Sequence, residues 1–102
     1  MMNTSLLSSI AKQLMSADEV EVEGNRLRVF YSPQQRLRCV TFTMGDCEYV
    51  AIQQNPDKLS KWGQLARSGH QVVQFKDVQA NRFVAVAVDG EAKEYSGGKS
   101  RG

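Results

Sequence analysis

Residues 19–31 read Glu19-Val20-Glu21-Val22-Glu23-Gly24-Asn25-Arg26-Leu27-Arg28-Val29-Phe30-Tyr31, and the reading of this stretch decides the fold. Val20 and Val22 alternate with glutamates, and Leu27, Val29 and Tyr31 alternate with Arg26 and Arg28. Gly24-Asn25 sits between the two runs as a two-residue turn signal. Strict alternation on both sides of such a turn predicts a β-hairpin with one apolar and one charged face. The expected register sets Glu23 against Arg26, Val22 against Leu27, Glu21 against Arg28 and Val20 against Val29. Both arginines are then explained as cross-strand partners, each pair contributing roughly 0.2–1 kcal/mol, rather than as parts of a ligand site.

Upstream, Leu6, Leu7, Ile10, Leu14 and Ala17 recur at helical spacing with Asn3 or Thr4 as cap, predicting an amphipathic N-terminal helix. Downstream, Pro33 marks a loop, 36–44 reads as a strand, Gly45-Asp46 as a turn and 47–53 as the returning strand. That turn sets Met44 against Cys47, Phe42 against Tyr49 and Val40 against Ala51, all on one apolar face. Asn55-Pro56 predicts the start of a second helix running to Ser68, with Leu59, Trp62, Leu65 and Ala66 as its apolar stripe and Gly69 as its stop. Gly63 weakens that helix and is expected to allow close packing on the sheet. The strand at 73–76 is followed by FVAVAV at 83–88, apolar on both parities, as in a strand covered on both faces. Its alanines, Ala85 and Ala87, predict a closely packed helix on their side. Asp89-Gly90 leads to a short edge strand at 91–95. The reading is an α+β fold: one domain over 1–95, mainly an antiparallel sheet of about six to seven strands, with an N-terminal helix and one helix between the strand groups, both helices on one face. Residues 96–102, with no apolar side chain, are expected to be a disordered tail.

Hydrophobic residues make up 41% of the 102 and charged residues 24%, the balance of an ordinary folded domain. No apolar run is long enough for a membrane span and no secretory leader is legible, so the expected location is the cytoplasm and no membrane partner is expected. The formal charge is +2, with residues 1–55 at −1 and 56–102 at +3. A basic second half suits a polyanion but is also common on solvated surfaces.

Catalytic and metal chemistry find little support. His70, the one histidine, follows a predicted helix end, where an imidazolium interacts favourably with the last carbonyls; no nearby nucleophile or orienting partner gives it a base's role. Sites assembled from distant residues, His70 with Asp77 or Asp89, stay open. Cys39 and Cys47 lack the close spacing and the further ligands that structural zinc needs, and the register puts them on opposite faces. They are expected to be free thiols, with no metal and no cofactor bound. Gly98-Lys99-Ser100 lacks the first glycine and the following helix of a phosphate-binding loop. Glu21 and Glu23 face arginines, and Glu91 and Glu94 lie on an edge strand, so neither pair suggests acid–base work.

The expected function is therefore a small non-catalytic interaction module that contacts a protein partner or its own copy. The alternative is low-specificity binding of RNA or single-stranded nucleic acid through Lys58, Lys61, Arg67 and Arg82. Trp62 shares a stripe with Leu59 and Leu65, which suits a core anchor better than a base-stacking platform.

Overall fold

Val20 and Val22 are buried against Leu7, Ile10, Ala11 and Leu14, which places the opening hairpin directly on the N-terminal helix. The computed structural model describes residues 4–88 and 92–96. Helix α1 (Thr4–Ser16) is followed by β1 (Glu19–Val22), β2 (Asn25–Arg28), β3 (Phe30–Tyr31), β4 (Arg38–Met44) and β5 (Cys47–Gln53). Helix α2 (Lys61–Arg67) then precedes β6 (Val72–Asp77), β7 (Arg82–Ala87) and β8 (Ala92–Ser96). Strands β3 to β8 form a six-stranded antiparallel meander in chain order, and β1 and β2 pair as a separate hairpin. The predicted α+β class with a mainly antiparallel sheet is the class observed.

The hairpin register differs from the expected one. Glu19 faces Arg28, Val20 faces Leu27, Glu21 faces Arg26 and Val22 faces Asn25, so the loop is Glu23-Gly24. Both loop residues have positive φ, 51° at Glu23 and 86° at Gly24, as a type I′ turn requires. Moving the loop by one residue keeps every side chain on its face, so the alternation in 19–31 is compatible with either register. Turn geometry chooses, and each strand glutamate still meets an arginine. At the next turn the glycine comes first, Gly45 with φ 63°, and the observed pairs Met44–Cys47, Phe42–Tyr49 and Val40–Ala51 are the expected ones.

Strand parity distributes the core over two faces. Val40, Phe42, Tyr49, Ala51, Val73, Phe75 and Val86 pack under α1. Val72, Ala85 and Ala87 lie on the opposite face, under Trp62 of α2. The small alanines thus do mark a helix contact, but the two helices cover different faces rather than one. The second helix is also shorter than expected. Asn55-Pro56-Asp57-Lys58 forms a turn in which Asn55 Oδ1 accepts from Asp57 N at 2.8 Å, the sequence pattern of a type I turn with proline second. Ser60 is the N-cap, its Oγ accepting from Gly63 N at 3.0 Å. Leu59 falls outside the helix and is 94% exposed. Gly63 serves this loop rather than the sheet: a Cβ there would lie 2.1 Å from Lys58 O. The expected turn at Asp89-Gly90 and all of the expected tail after Ser96 lie outside the described residues; Ser96 itself closes β8.

Candidate functional site

The four basic residues singled out in the sequence do not form one patch. Lys58 lies in the loop before α2, and Lys61 opens the helix with Nζ 5.7 Å from the Trp62 ring centroid. Arg67 is engaged structurally: its Nη1 donates to Pro56 O and, at 2.9 Å, to Lys58 O, clasping the loop to the end of α2. Arg82 is opposite Asp77 at the far end of β7 from Ala85 and Ala87, and shares the α1 side with Val84 and Val86. Trp62 is buried, as a core anchor would be. His70 is exposed just after the helix, its N–H donating to Leu65 O at 3.1 Å. Cys39 is buried opposite Ile52 and Cys47 half-buried opposite Met44, on different faces. Among the described residues, no three His, Cys, Asp or Glu side chains are grouped to hold a metal ion. No helix among them is long and apolar enough to cross a membrane.

Among the described residues, the sheet face opposite α1 is largely uncovered. Helix α2 covers only its Val72–Ala85–Ala87 corner. By register, Phe30, Cys39, Ile52 and Gln74 form one row across this face, and Thr41, Val50, Lys76 and Phe83 form the next. Phe30 is 46% exposed, and Val50, Ile52 and Phe83 are half-buried. Lys76 extends along the face with Nζ 5.5 Å from the Phe83 ring centroid.

At the α2 end this face deepens into a cavity of about 460 Å³ lined by Leu37, Ile52, Gln54, Lys58, Leu59 and Gln74, among others. Its outer wall is the 55–60 loop, held by Gly63 and Arg67 as described above. Gln54 is 5% exposed; its Nε2 donates to Asn55 O at 3.1 Å, while its Oε1 has no partner. A buried acceptor left without a donor costs about 1–3 kcal/mol. Among the described residues, no carboxylate lines the cavity and Lys58 is its one cation. The arrangement offers an apolar floor, amide groups and a positive rim. The one hydroxyl among its described lining residues, that of Ser60, accepts from Gly63 N as the cap of α2.

No protein-family model, curated protein or solved structure matches this chain. The site must be read from its own geometry. The cavity was missed in the sequence because Leu37, Ile52 and Leu59 come from three segments. The one local signal was Ser60 three residues before Gly63, a cap position that would have put Leu59 outside the helix.

Proposed function

We propose that this protein is a non-catalytic interaction module that docks a protein partner on the sheet face opposite α1. The observation that carries the reading is the cavity beside Ile52 and Leu59: one sheet face is covered by a helix and a hairpin, while the other keeps an apolar recess with a fully exposed leucine at its lip. Contiguous exposed apolar surface with a polar rim is characteristic of protein-interaction sites. The partner inserts an apolar side chain over Leu37 and Ile52 under Leu59, and Lys58 and Lys76 favour acidic residues around that anchor. Nucleic-acid binding has less support, because its four candidate cations are split between two faces and Arg67 is already engaged.

A photo-crosslinking residue at position 59, in the protein expressed in its own host, tests this reading. The expected result is one discrete protein adduct, suppressed when Ile52→Glu is added and absent when the crosslinker is at Gln64. An adduct that forms equally at both positions, or survives Ile52→Glu in a folded protein, defeats the reading.

A further inference from the structure

Strands β2 and β3 lie on one length of chain, Asn25 to Tyr31, that changes partner along its course: β2 pairs with β1, and β3 pairs with β4. Hydrogen-bond parity gives the direction of every backbone group along it. In a hairpin with a two-residue loop, the closing pair and every second pair beyond it exchange both N–H···O bonds. Around Glu23-Gly24 those pairs are Val22–Asn25 and Val20–Leu27, and Val29 N–H continues the series by donating to Asp18 O at 2.9 Å. The N–H and C=O groups of Arg26 and Arg28 therefore point away from β1. Around Gly45-Asp46 the bonded pairs are Met44–Cys47, Phe42–Tyr49 and Val40–Ala51, so those of Thr41 and Thr43 point away from β5.

These two edges face each other. Continued past Phe30–Cys39, the β3–β4 ladder would bring Arg28 to Thr41 and Arg26 to Thr43. It stops instead, because the chain bends at Val29 to follow β1 onto α1. A cavity of about 420 Å³ opens between the edges, lined by Val22, Arg26, Leu27, Phe42 and Thr43 and reaching Glu48. Beyond Cys39, no strand among the described residues pairs with this edge of β4. The outer edge of β1 is treated differently: the Gln13 amide accepts from Glu21 N at 2.8 Å and donates to Glu21 O at 3.3 Å, covering it.

We infer that this cleft is a strand-addition site for an extended segment of a partner protein, paired through its backbone with Thr41 and Thr43 on one side and Arg26 and Arg28 on the other. The inference rests on reading the chain as a protein-interaction module and adds a second place of contact. Backbone groups set for a ladder are complementary to another strand and to little else. A single extended segment is the occupant because the cleft has walls on both sides; the edge of a second folded sheet would bring its own neighbouring strand into β2. Full insertion sets β2 and β4 two strand spacings apart, roughly 10 Å, with Val29 as the bend that adjusts the width. Thr41 to Thr43 is two strand steps, about 7 Å, so about three partner residues are held. Alternation assigns their chemistry: the residue beside Phe42 and Leu27 faces the core and is apolar, and its two neighbours, one between Arg28 and Thr41 and the other between Arg26 and Thr43 with Glu48 beyond, face outward and are polar.

Amide hydrogen exchange of the free protein, read by NMR, is the first measurement. Thr41 and Thr43 amides exchange fast and those of Val40 and Phe42 slowly. A displayed library of random seven-residue peptides, selected on the intact protein, supplies the probe. Selected peptides protect the Thr41 and Thr43 amides, and binding is lost in Thr43→Pro, which removes an outward-pointing donor and no donor of the β4–β5 ladder. Peptides N-methylated at the residue opposite Thr43 lose binding to the unaltered protein, which reads the same contact should the proline variant fail to fold. Thr41 and Thr43 amides as protected as that of Phe42 in the free monomer overturn the site. So does concentration-dependent dimerisation that itself protects them, which assigns the edge to a second copy. Peptides insensitive to Thr43→Pro and to N-methylation but lost with Ile52→Glu also overturn it, while leaving the sheet-face reading in place.

Discussion

The Arg38 guanidinium donates from Nε to Leu14 O at 2.6 Å, from Nη2 to Ala17 O and from Nη1 to Tyr31 Oη at 2.7 Å. Leu14 and Ala17 belong to the last turn of α1 and the residue after it, where carbonyls lack helical donors and carry partial negative charge. One planar group thus caps α1 and ties it to β3 and β4, with Asp18 Oδ1 at 3.7 Å as a weak ionic partner on the surface. Arg38→Ala is expected to destabilise the fold by about 2–4 kcal/mol, since hydrogen bonds from a charged group contribute about 1.5–3 kcal/mol each and their carbonyls are left unpaired. Arg38→Lys should restore little, because an ammonium cannot span the three acceptors; urea titration of both variants is the check. Cys39 gives a second prediction at this scale. Burial pushes its thiol above the ordinary value of 9.0, with a smaller opposing effect from a backbone hydrogen bond at Ser32. The folded state then holds that proton more tightly than the unfolded chain. This contribution to stability is fully present below about pH 9 and is lost as pH rises through the folded pKa. Burial also raises Tyr49, with added effects from Cys47 and Asp77, in the same sense. The thermal midpoint of the parent should therefore fall more steeply than that of Cys39→Ala above pH 9, and the two should run parallel below it. Parallel profiles throughout would remove the thiol as the cause.

At the scale of elements, the opening turn can be tested by the sign of one substitution. Glu23 carries φ 51°, a left-handed conformation that costs a residue with a side chain about 1–2 kcal/mol and that asparagine tolerates best. Glu23→Asn should stabilise the protein by about 0.5–1 kcal/mol as part of that cost is relieved. Were the loop Gly24-Asn25, position 23 would be a strand residue and the same change would destabilise. The α2 region gives a sharper contrast: Trp62→Ala should cost about 3–5 kcal/mol, whereas Leu59→Ala should cost under about 0.5 kcal/mol. Both residues fit a single helical stripe, so the difference reports where the helix begins. Most elements were legible in the sequence because period-2 and period-3.6 patterns are local, as in 40–51 and 6–14. What escaped it depended on choices that such patterns leave degenerate. The register of 19–31 kept both faces intact under a shift, the Asn55-Pro56 signal served a turn as well as a helix, and the side of the sheet that α2 covers is set by a loop path. The role of Arg38 is not legible in the local sequence, because two of its acceptors lie 24 and 21 residues away.

At the scale of the whole molecule, the two sheet faces differ in kind. Helix α1 and the β1–β2 hairpin bury Val40, Phe42, Phe75 and Val86 on one face, while α2, of seven residues, covers one corner of the other. Cations are dispersed over this body: Lys58 lines the cavity, Lys61 lies over Trp62 at the start of α2, Arg67 faces the loop carbonyls, and Arg82 lies across the sheet. Four cations acting on one single strand would give a slope of log K against log salt of about −2.8, at about −0.7 per phosphate. Of these four, with Arg67 engaged and Arg82 on the other side, no more than Lys58 and Lys61 can act together. Fluorescence anisotropy with labelled single-stranded RNA should therefore show at most weak binding at low salt, with a slope no steeper than about −1.4. Lys58→Ala with Lys61→Ala should abolish even that, and Arg82→Ala should leave it unchanged. A slope near −2.8 that Arg82→Ala flattens would mean that the two faces are bridged by one strand of nucleic acid. The polyanion would then replace the acidic, apolar peptide as the partner for which this surface is built.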